Sequence, residues 1–287
     1  MITIKDVFED YRQQINGVYD INETEAITLL VIAEVTGMSR ASVKAFPERA
    51  LTTDHSDRLK SILAELKTGK PIQYILGTTE FYGLPFKVNP YVLIPRPETE
   101  ELVEWVISGE RLKAKGERFS LLDIGTGSGC IAISLKKNLA DAEVSAMDIS
   151  EGALQTAKEN ALLNEVEVNF IEADILNMEP SNGSTKYDII VSNPPYVTLN
   201  DKKQMHSNVT DFEPHTALFV PEYDPLIFYR AIADYALNNL IANGLLYFEI
   251  NENLGKETVE LLYDKGFKNI ELRKDMSGRD RMVKAQR

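Results

Sequence analysis

Cysteine occurs once in these 287 residues, at Cys130, and histidine three times. A single thiol forms no internal disulfide, and no Cys/His cluster has the spacing of a metal site. Long apolar runs are missing as well, since none approaches the roughly 20 residues needed to span a bilayer. Positive charge is in deficit: 31 Lys and Arg stand against 44 Asp and Glu, a net charge of −13. The first 70 residues carry −2 of this and the remainder −11. Proteins that grip nucleic acid do so chiefly by neutralising phosphates, so this balance argues against a stable nucleic-acid complex. The opening MITIKDVFEDYRQQ is too polar and acidic for a signal or transit peptide. These absences set the expectation of a metal-free, cytoplasmic protein without a membrane partner, and a monomer is expected beside them.

What is present is enough apolar sequence, 44% of residues, to bury a large domain beside a small one. Residues 1–72 read as a helical bundle. Thr53 is placed to cap a helix with its apolar stripe at Leu59, Ile62, Leu63 and Leu66, ended by Gly69 and Pro71. AITLLVIAEV (26–35) suits a helix buried on most sides. Residues 73–95 are rich in aromatic and β-branched residues broken by Gly83, Pro85, Asn89 and Pro90, which predicts a β-hairpin or meander as a linker. From 96 to 287 strand and helix alternate. Strands are expected at 119–124, 142–148, 166–172, 187–192, 244–250 and 267–273 and at the C-terminus, with helices at 129–139, 151–164, 225–242 and 253–265. Such alternation implies an α/β fold with a mostly parallel, seven-stranded, Rossmann-like sheet. Ligands bind such sheets beyond the carboxyl ends of the strands, where the strand order reverses.

The loops at those ends carry the chemistry. After the first strand runs Asp123-Ile124-Gly125-Thr126-Gly127-Ser128-Gly129. Its spacing is G-x-G-x-G, with Cys130 where the dinucleotide pattern requires glycine. Asp123 is poorly placed for a pyrophosphate but well placed to order a loop around a cationic amino acid. That favours S-adenosylmethionine, a sulfonium with an α-amino group, over NAD. Asp148 closes the second strand and is placed to accept both hydroxyls of a ribose. Asp174, after the third, can meet the adenine amino group, with Ile175 against the ring face. After the fourth stands Ser192-Asn193-Pro194-Pro195-Tyr196. The two prolines stiffen that loop and remove two donors. The Asn193 side-chain oxygen and the Pro194 carbonyl can accept from both protons of a planar NH2 group, and Tyr196 can stack on its face.

DIGTGSG, Asp148 and SNPPY resemble class I methyltransferases acting on amide or exocyclic nitrogens. Together with LIPRPETEELVEW (93–105), they make the chain similar along nearly its whole length to the peptide-chain release factor glutamine methyltransferases, the PrmC/HemK family. Further family-like positions are FEP (212–214), Glu249 and SGRDR (277–281). Asn243-Gly244, where the family commonly has two glycines, is a departure, as is the absence of a Gln near Lys256. The resemblance implies N5-methylation of the glutamine in the Gly-Gly-Gln motif of release factors, with S-adenosylhomocysteine as product and the helical domain docking the substrate. Asn193, Pro194 and Tyr196 then form the catalytic loop with Pro195, and Asn193 also borders the cofactor. Two substrate alternatives stand beside it: an adenine in DNA or RNA, offered to the same loop after base flipping, and a glutamine of a ribosomal protein. A degenerate fold acting as a binding module is a third reading. His55, His206 and His215 read as surface or loop residues, and no buried general base stands out.

Overall fold

Strands covered on both faces are near-continuous apolar runs, and FSLLDI and YDIIVS are of that kind. The computed structural model describes residues 2–110, 119–178, 186–203, 205 and 207–287, so His206 lies outside the described residues. The chain divides into two compact units. One runs to Leu76 and includes Ser207–Phe212; the other begins at Gly77 and includes Glu213–Arg287.

The smaller unit is built on helices Ile4–Ile15, Ile21–Thr36, Arg40–Ala45, Thr53–Leu66 and Ile72–Leu76. Its core holds Ile4, Val7, Tyr11, Ile15, Ile32, Leu59, Ile62 and Leu66. The buried Tyr11 hydroxyl donates to the Leu59 carbonyl at 2.7 Å, so the ring enters the core without an orphaned polar atom. The cap of the fourth helix is Thr52 rather than Thr53: its extended backbone lets its hydroxyl accept from the His55 N–H. In the helix Ile21–Thr36 the buried residues, Thr24, Ile27, Thr28, Val31 and Ile32, lie on one face, so it is less enclosed than its apolar sequence suggests.

The larger unit opens with the antiparallel hairpin β1 (Thr78–Phe81) and β2 (Leu84–Lys87). Its main sheet comprises β3 (Phe119–Ile124), β4 (Ala142–Asp148), β5 (Asn169–Glu172), β6 (Tyr187–Ser192), β7 (Leu240–Glu249), β8 (Lys268–Lys274) and β9 (Asp280–Gln286). The spatial order is β5-β4-β3-β6-β7-β9-β8, and β9 alone runs antiparallel to its neighbours. This is the class I methyltransferase sheet. Alternate residues feed two cores: Leu121, Val144, Ile189, Val191 and Tyr247 face one side, and Leu122, Met147, Ile190, Leu246 and Phe248 the other.

Two boundaries differ from expectation for local reasons. β5 starts at Asn169 because the Val166 N–H closes the preceding helix onto the Ala161 carbonyl, after Glu165 at φ 55°. β7 starts at Leu240, which is already extended and pairs with Tyr187 before the ladder resumes at Ile189–Leu245. Asn243 lies in that irregularity at φ 65°, a left-handed conformation that asparagine tolerates. That explains why Asn can stand where the family commonly has glycine.

The strand order turns at β3 and β6, which are neighbours. The glycine-rich loop leaves one and the Asn-Pro-Pro-Tyr loop leaves the other, so sequence positions almost 70 residues apart share one crevice.

Candidate active site

The glycine loop is held from below. Gly125 and Thr126 donate their N–H groups to the Met147 carbonyl at 2.8 and 2.9 Å. Gly127, at φ 54°, donates to Asp148 Oδ2 at 2.8 Å, and the Ser150 N–H reaches Asp148 Oδ1 at 2.9 Å. Asp123 is wholly buried beneath the loop. Its Oδ2 accepts from the Thr126 hydroxyl at 2.6 Å and from the Ala132 N–H at 3.3 Å. Asp123 does not line the cavity above it; it shapes the loop that does. Gly129 has a packing reason as well: a Cβ there would stand 2.8 Å from Ile133 Cδ1 and 3.1 Å from the Ala157 Cβ.

The cavity over this loop holds about 360 Å3, within the range of small-molecule sites. Of the residues expected at a cofactor, Gly125, Thr126, Gly127, Ser128, Asp148, Asp174, Ile175 and Asn193 border it and Asp123 and Gly129 do not; Pro194 and Pro195 border it as well. So do Tyr91, Phe219 and Phe228, aromatic residues for which the sequence reading had no role. Asp174 makes a local turn, accepting from the Leu176 N–H at 2.9 Å and the Asn177 side chain at 2.6 Å.

Charge in and under this cavity suits a cation. Burial pushes Asp123 up to about 7 against the pull of the Thr126 and Ala132 hydrogen bonds. Burial also raises Asp148, opposed by the Ser150 and Gly127 N–H groups. Carboxylates that resist ionisation gain from a nearby positive charge, whereas a pyrophosphate would add to their repulsion. The Ser128 hydroxyl is buried at the wall beside the Cys130 thiol, a weak partner. The residues therefore fit a nucleoside bearing a cationic amino acid. Cys130 also lines the cavity, but burial pushes its thiol up to about 12, which keeps it protonated and poorly nucleophilic.

A second cavity, of about 460 Å3, shares Leu93, Arg96, Asn193, Pro194 and Ala217 with the first. Its remaining wall includes Tyr196, Asn251, Glu252, Arg279 and Arg281. The PRPETE segment and FEP meet here, because Glu213 Oε1 pairs with Arg96 and Glu213 Oε2 accepts from the Ile94 N–H at 3.2 Å. The SGRDR turn closes through Gly278, at φ 81°, and through Asp275, which accepts from the Arg279 N–H at 2.9 Å. This turn brings Arg279 and Arg281 to Glu252.

Beneath the Asn-Pro-Pro-Tyr loop lies Glu249, 1% exposed. The Thr99 hydroxyl donates to Glu249 Oε2 at 2.6 Å and the Tyr196 hydroxyl to Oε1 at 3.1 Å. Asn193 Nδ2 in turn donates to Thr99 Oγ1 at 3.2 Å. Burial raises the Glu249 carboxyl, and the Thr99 bond and nearby Arg281 lower it. No buried acid stood out in the sequence, and the one signal for Glu249 was its match to a family position. His55 sits half-buried in a helix, and His215 is exposed at the start of a short helix; neither borders either cavity.

On the other side of the glycine loop, Asn160 is fully buried. Its Oδ1 accepts from the Lys87 N–H at 2.7 Å, and its Nδ2 donates to the Lys87 carbonyl at 3.0 Å and the Ser128 carbonyl at 2.9 Å.

Comparison with known proteins shows the family and the fold. Residues 7–77 match the family described as PrmC N-terminal domain, and residues 109–211 match the methyltransferase small domain. The release factor glutamine methyltransferase of Flavobacterium psychrophilum is 51% identical over 98% of both chains. The chain belongs to the release factor glutamine methyltransferase family. Another member, from Bacteroides thetaiotaomicron, is 43% identical over 96% of this chain and 97% of its own. Among solved structures, the fold is shared with the T. thermophilus 16S rRNA N2 G1207 methyltransferase (RsmC) in complex with AdoMet and guanosine. That likeness has a TM-score of 0.52 at 20% identity, covering 73% of this chain and 49% of the other. No described helix is long and apolar enough to cross a membrane.

Proposed function

We propose that this chain transfers a methyl group from S-adenosyl-L-methionine to the side-chain amide nitrogen of the glutamine in the Gly-Gly-Gln motif of peptide-chain release factors. The products are N5-methylglutamine and S-adenosyl-L-homocysteine. The observation that carries the reading is the meeting of two cavities at Asn193 and Pro194, one suited to a cationic nucleoside and the other open to a side chain. The cofactor, when bound, supplies an electrophilic methyl group on its sulfonium.

The residues of the first cavity divide the binding. Asp148 would hold the ribose hydroxyls, Asp174 the adenine amino group and Ile175 the ring face, and Gly125, Thr126, Gly127 and Ser128 would hold the amino-acid end. Asp123 and Gly129 act from beneath by holding the loop. At the junction, Asn193 Oδ1 and the Pro194 carbonyl accept the two N–H bonds of the glutamine amide, Pro195 stiffens the loop, and the Tyr196 ring packs on the amide face. An amide nitrogen is a weak nucleophile because its lone pair is delocalised, so the gain must come from alignment, worth several kcal/mol, and from polarising the N–H bonds. The methylated amide is strongly acidic and releases its proton to water or a carbonyl, so no general base is needed. The helical domain, residues 1–72, provides docking surface for the protein substrate.

The test is methyl transfer from labelled S-adenosyl-L-methionine to a purified release factor, beside a Gln→Ala variant of its Gly-Gly-Gln loop and duplex DNA. Label on the wild-type factor alone is expected. Label on DNA and none on the factor would transfer the same acceptor pair to an adenine and overturn the protein-substrate reading.

A further inference from the structure

We propose that Thr99 and Glu249 are positioning residues that dictate which end of the Asn193 amide faces the substrate. The inference rests on the reading of Asn193 as acceptor for the glutamine N–H. A carboxamide has two ends of nearly equal size and opposite hydrogen-bonding sense. Its final torsion is broad and roughly two-fold, so an unrestrained Asn can present either end. With its NH2 toward the cavity, Asn193 would set donor against donor and repel the group it has to bind. Some neighbour must break the tie.

The chain of hydrogen bonds behind the loop does so by direction. An ionised carboxylate accepts and never donates. Glu249 takes the Thr99 hydroxyl on one oxygen and the Tyr196 hydroxyl on the other. Threonine has one hydroxyl proton, and here it is committed to Glu249, so toward Asn193 the Thr99 oxygen can only accept. The end of Asn193 that faces it must be the NH2 group, as the 3.2 Å contact from Nδ2 records. Oδ1 is thereby turned away from Thr99 and left for the cavities that Asn193 borders. Burial raises the Glu249 carboxyl, and the Thr99 and Tyr196 hydroxyls together with Arg281 oppose that rise and hold the charge on which this direction depends.

The backbone explains why these residues meet. β6 and β7 are parallel neighbours with Ser192 opposite Phe248, so the next residues, Asn193 and Glu249, emerge side by side. Thr99 comes from the first turn of the helix Pro97–Glu110 and is 2% exposed, filling the gap between them. Asn251 Nδ2 donates to the Tyr196 carbonyl at 3.2 Å, giving the loop a second anchor that does not involve Thr99. Loss of the Thr99 hydroxyl should therefore free the Asn193 amide without releasing the loop.

The experiment compares Thr99→Val, Thr99→Ser, Glu249→Gln and Asn193→Ala in the full chain, measuring kcat and KM with release factor, S-adenosylhomocysteine affinity and Tm. Thr99→Val should lower kcat at least tenfold with S-adenosylhomocysteine affinity within about twofold of wild type. Thr99→Ser, which restores the hydroxyl, should recover most of the turnover. Glu249→Gln, which can donate as well as accept and so loses the direction, should resemble Thr99→Val. Wild-type kcat in Thr99→Val would overturn the inference, as would an equal loss in Thr99→Ser or a fall in ligand affinity matching the fall in kcat. If Asn193→Ala itself kept wild-type turnover, the underlying reading of Asn193 would fall instead.

Discussion

Glu213 meets Arg96 at 2.5 Å although 117 positions separate them, and its second oxygen holds the Ile94 N–H. Glu213 is 4% exposed, while the Arg96 side chain reaches both cavities. One carboxylate thus fixes the PRPETE segment against the residues that follow the Asn-Pro-Pro-Tyr loop. Glu213→Ala would leave a buried N–H and a guanidinium without their acceptor, and should cost about 2 kcal/mol of stability. Urea unfolding of the two proteins measures this. An unchanged midpoint would mean that the pair does not hold the segment.

Asp148→Ala should weaken S-adenosylmethionine binding about tenfold or more, because it removes an acceptor at the cavity wall and the anchor of the Gly127 N–H. Isothermal titration calorimetry reads the affinity directly. Unaltered binding would remove Asp148 from the site.

Gly129→Ala combines a left-handed backbone, φ 81°, with a Cβ driven against Ile133 and Ala157. Left-handed geometry and overpacking each cost roughly 1–2 kcal/mol or more, so a loss of about 3 kcal/mol is expected. A substitution at Gly278, where φ is also 81° but no atom lies within 4 Å of an added Cβ, should cost less. Equal losses in thermal unfolding would mean that the packing at Gly129 contributes nothing.

Asp123 gives a dependence on pH. Burial raises its pKa in the folded chain to about 7, above the unfolded value, so the folded state binds the proton more tightly. Its contribution is fully present below about pH 4, declines as pH rises toward 7 and is constant beyond that. Asp123→Asn cannot titrate and lacks this decline. The stability of the variant relative to wild type should therefore improve between about pH 4 and 7, by an amount on the order of a few kcal/mol. A difference that stays flat with pH would show that Asp123 is not buried as a high-pKa acid.

The seven-stranded sheet and the two loops at its carboxyl edge were legible because both signals are local. Apolar runs such as FSLLDI mark strands buried on two faces, and Gly125, Gly127 and Gly129 mark a backbone that must turn sharply. Asp148 and Asn193 could be singled out because one ends β4 and the other directly follows β6, at the edge where such sheets bind ligands. Thr99, Glu213 and Glu249 were visible only as parts of a family-like pattern, without roles. Each works through a partner 94 to 150 positions away, and no periodicity encodes such a pairing. The turn at Asn243 and the late start of β5 escaped for a related reason. Helix closure and strand pairing decided those residues against their apolar neighbours.

One carboxamide, that of Asn160, grips the edge of the hairpin at Lys87 and the glycine loop at Ser128 at the same time. Opening of either contact should therefore loosen the other. A ligand that quiets the glycine loop should then slow hydrogen exchange at the Lys87 amide, making the hairpin a distant gauge of whether the nucleoside cavity is filled.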